Sequence, residues 1–288
     1  MERRSFFASA AALASSGIST VAAPAAAPAA GLIDTNVTLN SWPVRESWAP
    51  TPAALVQRLQ RHGVSSAWTG TFEGVLHTDM AGANNRLAEA CRREGAGMLE
   101  PIGSINPTFP DWEDDVRRCH ELHRMRGLRL FPNYQGYMLN DERFIRLLKI
   151  ATERRLFVQI ALSIEDDRSQ NPALTALPVQ AGPLVEVLPQ VPGARLMLLN
   201  GGSRVLGANT DLLQRLSAAG VLFDLATLEG VAGIEALLRR APGIRVAFGS
   251  HSPYFYFEAA LLKLQESILA PAELEAIRSG NAQALLSA

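Results

Sequence analysis

Cysteine is scarce in this chain: Cys91 and Cys119 are its only two. Neither stands in a CxxC pair, which excludes the compact zinc and dithiol sites that such spacing builds. Both fall in helical-looking stretches, 87–94 and 112–125, and nothing in their spacing argues for a disulfide. An excess of one charge is missing as well. The formal net charge is -1, so no basic face for nucleic acid is expected. Beyond the N-terminus no apolar run is long enough to span a bilayer. No Gly-x-Gly-x-x-Gly turn follows the first candidate strand, which removes the dinucleotide-binding fingerprint of an open doubly wound sheet.

What is present begins with a targeting segment. Met1-Glu2-Arg3-Arg4-Ser5-Phe6-Phe7 leads into an Ala/Ser-rich apolar run and then Ala22-Ala23-Pro24-Ala25. A charged start, an apolar middle and small residues at a cleavage point are the layout of a signal peptide. The Arg3-Arg4 pair before Phe6-Phe7 resembles a twin-arginine export signal. Residues 1–30 are therefore expected to direct the protein to the periplasm or the exterior, and residues 31–288 to form one domain. The full chain's hydrophobic content of 48% is enough for a sizeable core.

The remainder alternates between short apolar runs and amphipathic segments. Candidate strands are 32–38, 66–69, 98–105, 127–131, 156–162, 195–200, 221–225 and 245–249. Candidate helices start near Thr51, Gly82, Asp111, Asp141, Pro183, Asp211, Gly230 and Phe255, with a last one at Pro271. Thr51 and Asp111 stand where N-caps belong, and Asp141-Glu142 brings acid to a positive helix end. Gly63, Gly220 and Gly243 each close a helix before the next strand. Strict alternation implies a parallel sheet. Eight units in roughly 250 residues imply an α/β fold of the single (β/α)8 TIM-barrel type, with the open doubly wound sheet as the alternative.

Active sites of such barrels sit at the C-terminal strand ends. Asp34, Asn36 and Thr38 stand there on strand one, on one face if side chains alternate. Thr69, Thr71, Glu73 and His77 follow strand two, and Ser104 and Asn106 strand three. Arg129 lies in strand four, with Asn133 and Tyr134 just beyond it. Gln159 lies in strand five, followed by Glu165, Asp166 and Arg168. Asn200, Asp224 with Glu229, and Ser250 with His251 complete the ring. Arg129, flanked by Leu128 and Leu130, needs a partner if buried; Asp224, Asp34 or an anionic ligand could supply one.

Four segments carry a family resemblance. Ile33-Asp34-Thr35-Asn36-Val37-Thr38-Leu39 stands where the amidohydrolase-related superfamily has a D-x-H-x-H strand. Gly127-Leu128-Arg129-Leu130-Phe131-Pro132 resembles its fourth strand, Val246-Ala247-Phe248-Gly249-Ser250-His251-Ser252-Pro253 its F-G-S-D-x-P, and Ile277-Arg278-Ser279-Gly280-Asn281-Ala282 its closing I-x-x-x-N-A. The sequence is similar to the amidohydrolase-2 type of hydrolase over the whole mature chain. That resemblance implies a divalent metal held by two His of strand one, one His each of strands five and six, and an Asp of strand eight. Those positions fall here on Asn36, Thr38, Ala161, Asn200 and His251. Amides and a hydroxyl are poor zinc ligands, so no metal and no cofactor is expected.

Three functions are weighed. The first is a metal-independent hydrolase or lyase acting on a small, carbonyl-containing, possibly anionic molecule, which the superfamily's metal-free lactone hydrolysis permits. His251 would be its acid or base, oriented by Asp34 or Asp224. Arg129 would hold a carboxylate. Asn36, Asn133 and Asn200, with Tyr134 and His77, would bind substrate. The second is a binding protein without turnover on the same barrel. The third is a metal enzyme with rearranged ligands drawn from Glu73, His77, Asp79, Asp224 and His251. His120 and His123 read as surface residues and His62 as a helix C-terminal residue. Tyr254-Phe255-Tyr256-Phe257 offers a pocket roof or plain packing, and Trp42 and Trp48 are candidate lid residues.

Overall fold

The computed structural model describes residues 31–166, 168, 170–207 and 209–288; the expected signal peptide at 1–30 lies outside them. Nine short parallel strands run in chain order: β1 (Leu32–Leu39), β2 (Val64–Thr71), β3 (Leu99–Pro101), β4 (Gly103–Ser104), β5 (Gly127–Leu130), β6 (Phe157–Ala161), β7 (Leu196–Leu199), β8 (Leu222–Asp224) and β9 (Arg245–Ala247). Strands β1 to β3 pair in one run and β4 to β9 in another. The break between the runs is the single residue Ile102, whose N–H still donates to Thr69 O at 2.8 Å. At the other seam, Thr35 N donates to Phe248 O at 2.9 Å and Thr38 N to Ser252 O at 2.8 Å. The ring is thereby joined through backbone hydrogen bonds, and the eight-unit barrel expected from the alternation is the architecture.

Each strand unit is followed by a helix on the outside, among them Pro52–Arg61, Met80–Glu94, Glu142–Glu153, Thr210–Ala218 and Phe257–Glu266. Local chemistry sets their starts. Thr51 accepts from Ala54 N with Pro52 in the first turn, and Asp141 accepts from Arg143 N; each such cap is worth about 1 kcal/mol. Starts expected near Gly230 and Phe255 fall at Gly233 and Phe257, and two others differ in their caps. The helix expected near Gly82 begins at Met80, because the Asp79 side chain caps it by accepting from Gly82 N. Asp111 precedes Trp112–Glu121 in a left-handed conformation with no side-chain cap bond. Gly63, Gly220 and Gly243 adopt φ of 72°, 83° and 83°, the left-handed turn that favours glycine after a helix.

Two cores result. The larger lies between strands and helices, where Leu55, Leu59, Phe144, Leu147, Leu213 and Phe257 bury their apolar faces. The smaller joins Ile33, Trp68, Ile102, Phe157, Met197, Leu222 and Ala247. These residues come from strands all round the ring and meet only inside it. Trp68 and Phe157 pack with ring centroids 4.6 Å apart, and truncating either to Ala would cost about 3–5 kcal/mol. Ala282 and Leu285 of the last helix, Asn281–Ser287, stop the N-terminal end of the barrel. The opposite end carries polar residues beside a third apolar cluster of Trp42, Phe72, Phe131, Ile164 and Tyr254. No helix among the described residues is long and apolar enough to cross a membrane.

Candidate active site

Strand β1 gains one residue on β2 between Asp34 and Val37, so plain alternation does not govern its polar positions. Within this bulge the carbonyl of Thr35 accepts from Gln159 Nε2 at 2.8 Å and from Arg129 Nη2 at 3.4 Å. Arg129 crosses the barrel interior from β5. Its Nε donates to Gln159 Oε1 at 2.8 Å, Nη1 to Val37 O at 2.8 Å and Thr38 Oγ1 at 3.2 Å, and Nη2 also to Trp68 O at 3.2 Å. All five N–H groups of the guanidinium thus have acceptors in the protein. The expectation that Arg129 grips a substrate carboxylate is corrected: it has no donor left, and it is 1% exposed. A Cβ at Gly70 would lie 2.8 Å from Arg129 Nη1, so the bare glycine makes room for it.

Asp34 and Asp224 are the acidic groups of this interior. Asp34 Oδ1 accepts from Asn36 N at 3.1 Å and Ser250 N at 3.0 Å, and Oδ2 pairs with Ser250 Oγ. Asp224 Oδ2 accepts from Asn36 Nδ2 at 2.7 Å and Oδ1 from Asn200 N at 2.8 Å. Neither bonds to Arg129, which feels them only through space. Burial raises the Asp34 carboxyl to about 7, against its hydrogen bonds. Burial raises Asp224 to about 6, against the Asn36 and Asn200 bonds. Burial likewise lowers Arg129 to about 10. Asn36 ties the group together, since its Nδ2 also donates to Asn200 Oδ1 at 2.9 Å.

His251 is 3% exposed and held at φ 56°. Its Nε2 lies 2.8 Å from Ile164 O. A carbonyl only accepts, so Nε2 carries the proton and Nδ1 keeps a lone pair, for which no partner is present among the described residues. The ring packs against Tyr254 and Phe255, with centroids 5.2 and 5.1 Å away. Burial lowers its pKa to about 4, so the imidazole is neutral at physiological pH. Neither Asp34 nor Asp224 touches it, contrary to the orienting role expected of them.

The open space lies beside this network. A cleft of about 540 Å³ sits beyond the C-terminal ends of β6, β7 and β8, walled by Ser163, Asn200, Thr227, Lys263 and Phe255 and rimmed by Arg45. Arg45, from the loop after β1, lays its guanidinium 4.5 Å over the Tyr254 ring, a cation–π seat. Lys263 Nζ donates to Leu225 O at 3.0 Å and to Ala226 O. Burial lowers its ammonium to about 8, against Asp224, Glu229 and Glu266. Arg168 is neutralised by Asp166 and Glu229, each at 2.6 Å. Glu165 accepts from Tyr254 OH at 2.8 Å.

Of the residues named from sequence as catalytic or substrate-binding, Asn200 alone lines this cleft. Asn133 and Tyr134 sit half-buried on the short helix Pro132–Gln135, where Tyr134 packs edge-on to Trp42 and donates to Leu174 O at 3.3 Å. His77 is exposed after the short helix Glu73–Leu76, and Asp79 is spent on its helix cap, so the rearranged metal set is not assembled. Trp42 is 2% exposed, which makes it core rather than lid. His62 caps its helix, with Nε2 2.9 Å from Glu258 Oε1. Phe255 and Tyr256 do line the cleft, while Phe257 belongs to the core. Arg45 and Lys263 went unnoticed in the sequence; the rarity of lysine in this chain was the signal for the second.

The family model described as Amidohydrolase matches residues 51–287. The chain belongs to the amidohydrolase family. No curated protein matches its sequence. Among solved structures it is similar to 2,6-dihydroxybenzoate decarboxylase from Rhizobium, at 11% identity over 89% of this chain and 98% of that one, with a TM-score of 0.69. It is also similar to 5-carboxyvanillate decarboxylase from Novosphingobium aromaticivorans, complexed with manganese, at 16% identity over 89% and 96% and a TM-score of 0.65. At such identities the likeness speaks for the barrel alone.

The positions at which the resemblance implies metal ligands do not fit a divalent cation in this amidohydrolase-family chain. Ala161 has no donor atom. Asn36 turns its N–H2 outward to two acceptors, and Thr38 Oγ1 accepts from a guanidinium. His251 keeps a lone pair on Nδ1, but a single imidazole does not replace that ligand set. Among the described residues no three His, Cys, Asp or Glu side chains come together in a way that could hold a metal ion. Of the groups in the cleft and the interior behind it, Asp34, Asp224 and Lys263 are moved towards neutrality. Only Lys263 lines the cleft, and Asp224 lies behind Asn200.

Proposed function

We propose that this protein is a hydrolase or lyase that takes a small carbonyl-containing anion into the cleft beyond β6 to β8 and works without the divalent metal. The cleft itself carries the reading. It lies where barrels place their chemistry, it has the size of a small-molecule site, and besides Arg168, which Asp166 and Glu229 neutralise, two cations serve it, Arg45 at the rim and Lys263 in the wall. Arg45 is engaged by the Tyr254 ring and, through space, by Asp166; an anionic ligand at the rim would meet this cation. The names of the similar structures point the same way, since 2,6-dihydroxybenzoate and 5-carboxyvanillate are carboxylates. The Arg3-Arg4 pair and the apolar run after it support the periplasm as the place of action.

One observation favours a second reading, a small-molecule-binding protein without turnover: Asp34, Asp224 and His251 are sealed from the cleft. Elemental analysis of the purified protein, joined to a turnover screen of small carboxylates, lactones and esters before and after chelation, decides among these. Chelator-insensitive turnover by metal-free protein supports the enzyme, with Arg45→Ala raising KM for anionic substrates. A stoichiometric metal whose removal stops turnover overturns the metal-free reading. A thermal shift with a ligand and no product identifies the binder.

A further inference from the structure

We propose that Lys263 is an amine nucleophile that captures a carbonyl compound as an imine inside the cleft. This rests on the reading of the cleft as a site for a carbonyl-containing anion, and names the group that would react with it.

The choice of residue is the first observation. Only two of the 27 Lys and Arg residues are lysine, Lys149 and Lys263. Lys149 is exposed on the helix Glu142–Glu153, where an arginine would serve as well. Lys263 is half-buried on the helix Phe257–Glu266 and lines the cleft. Elsewhere the chain writes its cations as guanidinium, which stays protonated and offers no lone pair. An amine at this position is the one basic side chain of the cleft that can become a nucleophile.

Geometry supplies the second observation. The carbonyls of Leu225 and Ala226, at the end of β8, hold two N–H bonds of Nζ and leave one tetrahedral position open. The nitrogen is thus fixed at the strand end rather than swinging on a flexible stem. Asp224 on β8, Glu229 in the following loop and Glu266 on its own helix favour the ammonium, yet burial outweighs them and brings it to about 8. At neutral pH about a tenth of the population then carries the free lone pair.

The chemistry balances without an added reactant. The ammonium releases a proton, the Nζ lone pair bonds to the carbonyl carbon, and the C=O pair moves to oxygen, which takes a proton. The carbinolamine then loses water as C=N forms. The net change is ammonium plus carbonyl to protonated imine plus water, with no change of oxidation state. Arg45 at the rim suits the carboxylate of a 2-oxo or aldehydo acid.

The test treats the full-length protein with glyoxylate and sodium cyanoborohydride and maps the carboxymethylated peptides. Lys263 is expected to label at least about tenfold faster than exposed Lys149, since the cleft holds the reactants together. Its rate is expected to rise through about pH 8. Lys263→Arg should abolish that label and leave Lys149 labelling unchanged. Labelling of Lys263 no faster than Lys149 in the wild type overturns the proposal without recourse to a variant. A glyoxylate-induced thermal shift without reductant separates the two readings. A shift with no preferential label removes the imine and keeps the anion site; neither shift nor preferential label overturns both.

Discussion

Replacing Asp34 by asparagine removes one titrating proton from the barrel interior while keeping its hydrogen bonds. The amide oxygen of the Asp34→Asn variant can accept from Asn36 N and Ser250 N as the carboxylate does. The amide nitrogen can donate to Ser250 Oγ, which in turn donates to Ser252 Oγ, 2.7 Å away. In the wild type, burial raises this carboxyl from 3.8 to about 7. A folded pKa above the unfolded one means that the native state binds the extra proton between those two values. Stability is therefore lost as pH rises through that window and levels off above about 7. Between pH 5 and pH 8 the loss from this one group is about 3 kcal/mol. For a barrel of this size that is a shift of roughly 6–11 °C in Tm. Thermal and urea melts of both proteins at pH 5 and pH 8 measure it as a difference of differences, in which the other titrating groups cancel. The variant should gain on the wild type by that amount on going to pH 8. An unchanged gap between the two at both pH values would refute the claim that the interior keeps Asp34 protonated towards neutrality.

Arg129→Met should cost about 3–5 kcal/mol, because it takes away the donors that Arg129 supplies to the Val37 and Trp68 carbonyls and Gln159 Oε1 and leaves Thr35 O to Gln159 Nε2 alone; urea denaturation measures it, and a loss under about 1 kcal/mol would contradict the strut role. The His251 imidazole should show no NMR titration until near pH 4, and since its pKa is lowered by burial, its contribution is full above about 6.5 and lost as pH falls through 4. Titration near 6.5 would mean that the ring is solvated. Cys91 and Cys119 are buried, unpaired thiols, each pushed up to about 12 by burial. A disulfide-exchange reagent should find them inert in the native protein and reactive in denaturant; rapid native reaction would show that the outer helices open.

The barrel was legible because its signals are local. Strand β5 was expected at 127–131 and is Gly127–Leu130; β6 was expected at 156–162 and is Phe157–Ala161. Apolar runs, Thr51 and Asp141 caps and left-handed glycines each act within a few residues, and their order then dictates the ring. The site was less legible because it depends on long-range packing. Arg129 announced a buried charge correctly, but its partners turned out to be neutral: Gln159 Oε1, Thr38 Oγ1 and carbonyls of β1 and β2, and carbonyls leave no trace in residue type. His251 stood at the expected strand end, yet Tyr254 and Phe255 fold over it, and a tetrapeptide of aromatics does not say which way its rings turn. Asn200 was found because its strand end borders the cleft. Arg45 and Lys263 come from a loop and a late helix that only tertiary contact brings there.

Gly70 and Arg129 sit on different strands, yet they compete for one space. The side chain from β5 occupies the volume that a Cβ on β2 would need, so neither position is free to drift alone. A lineage that enlarges residue 70 must shorten residue 129 in the same step or pass through a destabilised intermediate. In a shuffled library of this barrel, larger residues at 70 should survive only beside short ones at 129.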